Sequence, residues 1–277
     1  MLFIDIINIS LPVLYGLITA MYGILFFSRN ERKENILVKF RTPVLLFILA
    51  VHSIYFILRI VNYGHAPITN IYEILTLLAF SITLGYLFIE LRTGIVDTGF
   101  FILLIAGIIQ LISSIFIEEL TYINPILRNN ILGFHVTFVL IGYSSITLSG
   151  IFGLLYLMLY RAIKNNEFGS FYKRLPSLQM LEELTHNSLV FSYIFLTLTI
   201  LLGIFWLPHS VPNFSYADPK LIASFSIWLL YGIGYFFRRF GNFQSKTVMK
   251  LAFAGFLLTM LSVAFVNIFL SSFHKFN

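Results

Sequence analysis

Long apolar blocks set the pattern of this chain, separated by short polar stretches; strict alternation of apolar and polar residues is not its rule. A hydrocarbon layer of roughly 30 Å is crossed by about 20 helical residues. The blocks predict eight spans, over residues 4–27, 43–62, 70–91, 98–117, 131–160, 187–207, 221–237 and 248–270. The expected fold is an all-α integral membrane protein, a polytopic bundle of eight transmembrane helices. Residues 1–277 read as a single transmembrane domain, because no soluble stretch is large enough to hold its own core. The fifth block predicts a helix that projects beyond the bilayer. The first block lacks a basic lead-in and a small-residue cleavage site, so it is expected to be a retained span.

Composition supports a lipid solvent. The chain is 58% hydrophobic and 11% charged, against about 25% charged in a soluble domain. Its mean hydropathy is +0.90. The absence of Cys excludes disulfides, thiolate metal sites, a catalytic thiol and a CxxCH haem attachment.

The positions of the basic residues give an orientation. One side collects Arg29, Arg32, Lys33, Lys39, Arg41, Arg92, Arg161, Lys164, Lys173, Arg174, Arg238, Arg239, Lys246 and Lys250; the other has only Arg59, Arg128, Lys220 and Lys275. Short loops rich in Lys and Arg stay in the cytoplasm. Both termini are therefore expected outside, and the net charge of +6 is a topology signal rather than a nucleic-acid footprint.

A buried polar side chain in lipid needs a partner, and such groups gather on the outer side. His52 and Arg59 are seven apart and share a face of the second span. His65 follows in the turn, and Asn70 and Glu73 open the third span. An Arg59–Glu73 pair would neutralise both charges. Asn70 as N-cap with Glu73 three residues on forms a capping-box pattern. The residues leave two readings of this mouth open, a capped helix start and a ligand-facing surface. The acidic residues are not paired within any span, as a proton relay would need. Glu90, near the end of the third span, is expected to snorkel.

Of six histidines, only His186 falls on the cytoplasmic side. His52, His65, His135, His209 and His274 fall on or near the outer half. A lone histidine at a membrane edge is ordinarily interfacial. Two at matching depth on different helices could ligate a flat metallo-macrocycle such as haem. Spacing alone does not choose between these. HExxH, P-loop, GxSxG and GxGxxG motifs are all absent. In the longest cytoplasmic loop, 161–186, Leu175, Leu178, Leu181 and Leu184 recur every three residues after a helix-starting Pro176. A surface helix is one reading of that pattern; an extension of the sixth span is the expected one.

Five stretches then point to a family. "HSIYFILRIVNYGHAPITNIYEILTLLAF", "NPILRNNILGFHVTFVLIGYSSITLSGIFGLLYL", "LVFSYIFLTLTILLGIFW", "DPKLIASFSIWLLY" and "VNIFLSSFHKFN" resemble, in order, segments of the CcsA/ResC cytochrome c assembly proteins. That family handles haem. The resemblance implies that His135 and His274 are external histidines ligating a non-covalent b-type haem from opposite faces. It places Trp206 and Asp218-Pro219-Lys220 at the edges of a tryptophan-rich haem loop, and Arg59 near a haem propionate.

The departures shift the reading within the family. The loop is "WLPHSVPNFSYADPKLIA" where the family has roughly WGxxWxWDPKET; interior tryptophans are missing and Leu221 replaces a Glu. Phe236 stands where the family carries an intramembrane His. The HemX branch keeps the scaffold without an intact loop. Its resemblance implies a non-enzymatic regulator in the bacterial cytoplasmic membrane that lowers glutamyl-tRNA reductase abundance. The implied partners are haem, and the reductase or a protease acting on it, met through cytoplasmic loops. The rival implied reading is a haem transporter or ligase subunit of cytochrome c maturation.

Overall fold

The computed structural model describes residues 3–28, 31–117, 129–167, 169–210, 215–241 and 244–269. Among them the chain forms α1 (Phe3–Phe27), α2 (Glu31–Tyr63), α3 (Ile71–Thr93), α4 (Gly99–Phe116), α5 (Asn130–Lys164), α6 (Leu178–Ser210), α7 (Pro219–Phe240) and α8 (Ser245–Phe269). A 3₁₀ turn at Tyr172–Arg174 precedes α6. All eight helices contain a stretch long and apolar enough to cross a membrane. This is the all-α, eight-span architecture that the apolar blocks predict.

Two helices outrun their predicted bounds. α2 begins at Glu31 rather than 43, because straight-chain charged residues propagate a helix well. Pro43 lies inside it and costs one backbone hydrogen bond without ending it. α6 begins at Leu178, where the Ser177 hydroxyl accepts from the Met180 N–H at 3.2 Å. Leu178, Leu181 and Leu184 therefore belong to an extension of the sixth span, as expected, with Leu181 and Leu184 buried, while Leu175 caps the 3₁₀ turn before it. α5 has 35 residues, which at 1.5 Å each is about 52 Å and exceeds any bilayer core.

The helices form two compact units. The first is residues 1–120 with 167–176; the second is 121–166 with 177–277. In the first, α1 packs on α2 and α4, and α3 packs on α4. In the second, α5 packs on α6 and α8, and α7 on α6 and α8. Contact in the second unit is close enough to need glycine. A Cβ on Gly150 would stand 2.3 Å from Phe256 Cβ, and one on Gly255 would stand 2.2 Å from Tyr231 Cε2.

Tyrosines dominate the fully buried large side chains: Tyr15, Tyr22, Tyr55, Tyr86 and Tyr231. A buried phenol seeks a partner, so each unit has a polar interior. Tyr231 OH lies 3.0 Å from Ser149 Oγ. Glu90 is the clear correction here. It does not snorkel: it is buried, accepting at Oε1 from Arg41 Nε and Thr42 Oγ1, each at 3.0 Å, and at Oε2 from Tyr22 OH. A carboxylate with three donors beside it is cheaper inside than stretched to the interface.

Candidate functional site

The turn between α2 and α3 builds the first cluster. Asn70 has extended backbone, and its side-chain oxygen accepts from the Glu73 N–H at 2.9 Å. This is an N-cap, as the spacing predicts. The Glu73 carboxylate also has partners of its own. It accepts from the Thr69 N–H and hydroxyl, each at 2.7 Å, and from Arg59 Nη2 at 2.6 Å. Arg59 Nη1 donates to Tyr55 OH at 3.3 Å, and the guanidinium lies 4.9 Å from the Tyr63 ring centroid. The expected Arg59–Glu73 pair is thus present, with both residues buried.

Beside it lies a cleft of ≈ 70 Å³ lined by Asp5, Asn8, Tyr55, Arg59 and Tyr63. A water takes about 30 Å³ of liquid, whereas sites for drug-sized ligands run to roughly 300–1,000 Å³. The cleft suits water or a small ion rather than a macrocycle. His65 stands apart from the pair, its Nδ1 2.8 Å from the Ala66 carbonyl.

The second cluster is in the other unit. His135 projects from α5 onto α6. Its Cε1 is 3.5 Å from where a Cβ would stand on Gly203, and the Thr199 backbone faces it. Its Nδ1 is sealed from solvent and meets no partner in hydrogen-bonding geometry. Because Gly203 has no side chain, the imidazole packs directly on the backbone of α6. A ligating histidine ordinarily donates its second ring N–H to a protein acceptor; in His135 that partner is not formed at Nδ1, so the imidazole keeps a nitrogen without a protein bond.

Trp206 is half-buried in the last turns of α6, which runs on to Ser210. The first residues of the degenerate loop are therefore helical, and His209 Nδ1 lies 3.1 Å from the Phe205 carbonyl. Asp218 is buried at the start of α7; its carbonyl accepts from the Ile222 N–H at 3.1 Å, and Pro219 takes the first helical position. Proline suits that place because its missing N–H would have no partner there. Asp-Pro therefore also has a plain role in starting a helix.

Phe236 is exposed on α7 among the rings of Tyr193, Tyr235 and Phe240. His274 lies outside the described residues, as does Lys220's side chain. Among the described residues no three His, Asp or Glu side chains gather as a metal cluster.

With this geometry in view, residues 68–274 match the family model of the cytochrome C assembly protein. The chain belongs to that family. The match runs from the turn before α3 to the residue His274 itself. Protein HemX of Bacillus subtilis (strain 168) is 26% identical over 275 residues, covering 98% of this chain and 97% of the relative. Protein HemX of Brevibacillus brevis is 27% identical over 216 residues, covering 73% and 76%. The cytochrome c biogenesis protein CcsA of Chlorella vulgaris is 26% identical over 252 residues, covering 79% and 80%. In this cytochrome c assembly protein, α1 and α2 precede the matched region.

Reading the sequence missed the tyrosines and amides that answer the buried charges. The signal existed: Asn8, Tyr15 and Tyr22 are seven apart, as are Thr76, Thr83 and Glu90. Residues seven apart share a helix face.

Proposed function

We propose that this protein is a multi-pass regulator of haem synthesis in the bacterial cytoplasmic membrane, acting as the HemX resemblance implies, to lower glutamyl-tRNA reductase abundance. It is read as a binding and signalling protein rather than an enzyme. The observation that carries the reading is the end-to-end likeness to HemX, over 98% of this chain and 97% of the relative. The altered segment between Trp206 and Asp218 and the aromatic Phe236 agree with it, because an apolar ring cannot ligate iron.

His135 and His274 would hold the iron of a bound haem, with Trp206 and Asp218 at the border of the site. Arg59 stays outside this proposal, since its charge is answered by Glu73. Binding shifts a protein only through unequal affinity for two states. The signal would leave through the cytoplasmic stretch 161–186, where Lys173, Gln179 and Glu183 are exposed. The decisive experiment compares reductase abundance in wild-type and deletion strains. A rise on deletion is expected; unchanged abundance contradicts the reading.

A second reading rests on the likeness to CcsA of Chlorella vulgaris: a haem transporter or ligase subunit for cytochrome c maturation. It requires loss of c-type cytochromes in the deletion strain. Normal levels there remove it.

A further inference from the structure

We propose that α1–α4 form a proton relay, in which Glu73, His52 and Glu90 pass protons between the two ends of the first unit. All three side chains are buried, at 1%, 0% and 2% exposure. On α3, Glu73 and Glu90 are seventeen residues apart in sequence, or about 26 Å at 1.5 Å per residue. That nearly matches the roughly 30 Å hydrocarbon core. Thr76 and Thr83 lie between them on the same helix and are fully buried. The carboxylates, unpaired within any one span, share this unit with His52 of α2 and the buried tyrosines of α1.

The hydrogen bonds at the centre run in one direction. Thr76 Oγ1 donates its single proton to Gln110 Oε1 at 2.7 Å. His52 Nε2, 2.9 Å from the same oxygen, must therefore be the donor to Thr76. His52 Nδ1 is left to accept from Tyr15 OH at 3.2 Å, and Thr83 Oγ1 stands 3.1 Å behind Tyr15 OH. Both ring nitrogens are in line. A proton arriving on Nδ1 forms one N–H bond as the Nε2–H bond breaks; the released proton passes to Thr76 Oγ1 as Thr76 gives its own to Gln110 Oε1 and Gln110 Nε2 gives one to Ser114 Oγ, 2.9 Å away. An imidazole is suited to that exchange.

A buried carboxylate with partners of its own lies beyond each end of this run. At the basic-rich end, Glu90 accepts from Tyr22, Arg41 and Thr42, and Tyr86 belongs to the same group. Between this level and Tyr15 lies Thr19, whose hydroxyl is buried without a partner. Tyr15, Thr19 and Tyr22 follow at four and three residues on one face of α1. At the other end Glu73 meets Arg59 and Thr69, next to the small polar cleft of Asp5, Asn8 and Tyr55.

Stability does not account for this run. Hydrogen bonds between membrane helices add little to stability on average, and well-packed apolar residues often replace buried ion pairs without loss. The rings of Tyr15, Tyr55, Phe56 and Phe80 close around His52. That packing suits a proton and excludes a hydrated metal cation.

The test uses the full chain in phosphatidylcholine–phosphatidylglycerol vesicles loaded with pyranine, with valinomycin and a potassium gradient as the driving force. The wild-type protein is expected to acidify the lumen faster than protein-free vesicles do. His52→Gln, Glu90→Gln and the isosteric Thr76→Val are each expected to fall to the protein-free rate. Helical circular dichroism and a monodisperse elution profile select the variants that fold, and Thr76→Val disturbs packing least. Wild-type flux at the protein-free rate overturns the relay, and so does wild-type flux in folded variants. The assay needs no haem, so its outcome is independent of the haem-regulator reading.

Discussion

Glu73 answers three donors, two from Thr69 and one from Arg59, and that concentration makes its pair with Arg59 expensive to break. Both groups are buried, so removing one leaves the other charged and unanswered. Glu73→Ala is expected to lower stability by about 3–5 kcal/mol. The double replacement Arg59→Leu with Glu73→Leu should recover most of that loss. Denaturation in detergent micelles, run as a double-mutant cycle, checks both. Asp97, in the turn between α3 and α4, behaves oppositely. Burial pushes its carboxyl above the usual 3.8, against the weaker pull of Arg174. A raised folded value contributes stability at low pH that is lost as pH rises through it. Asp97→Asn should therefore melt above wild type at pH 7, with the gap closing below pH 3.8. The Asn70 cap and the Arg59–Glu73 pair were legible in the sequence because both are local. The Tyr22–Glu90 contact was not, because its members are 68 residues apart and nothing in the spacing joins them.

At the scale of elements, apolar block length predicted each helix, but charge content misled at the ends. A membrane-length rule stops where charge begins, whereas a helix continues through Lys, Glu and Arg. That is why α2 begins earlier than expected. Close packing of these elements rests on particular glycines. Gly150→Ala places a Cβ 2.3 Å from Phe256 and should cost about 1–3 kcal/mol by overpacking. Gly16→Ala, which meets nothing within 4 Å, should be neutral or slightly stabilising. Thermal unfolding of the two variants side by side checks the contrast. The stretch before α6 is anchored rather than free. Arg174 donates to the carbonyls of Leu25 and Ser28, and Phe171 packs on Phe26 and Phe101. Its leucine spacing showed a helix but not this docking, which depends on groups about 146 residues away.

At the scale of the whole molecule, the distribution of Lys and Arg predicts an orientation, and the absence of Cys makes that prediction easy to test. Ser215 and Gln179 are both exposed. Ser215→Cys should react with a membrane-impermeant maleimide in intact cells, and Gln179→Cys only after lysis. The opposite pattern would invert the topology and put the proposed haem ligands in the cytoplasm. The family was legible because its motifs are spread along most of the chain. The state of the proposed haem site was not. Its degenerate loop could be recognised only by what it lacks, and Trp206 proved to sit in a helix that continues through part of that loop.

The central claim is that His135 and His274 hold a haem, and the most direct measurement is the absorption spectrum of the detergent-purified protein with added haem. Wild type is expected to show a low-spin, bis-imidazole spectrum that is lost in His135→Ala and in His274→Ala. A wild-type protein that takes up no haem, or variants that keep the same spectrum, would contradict it.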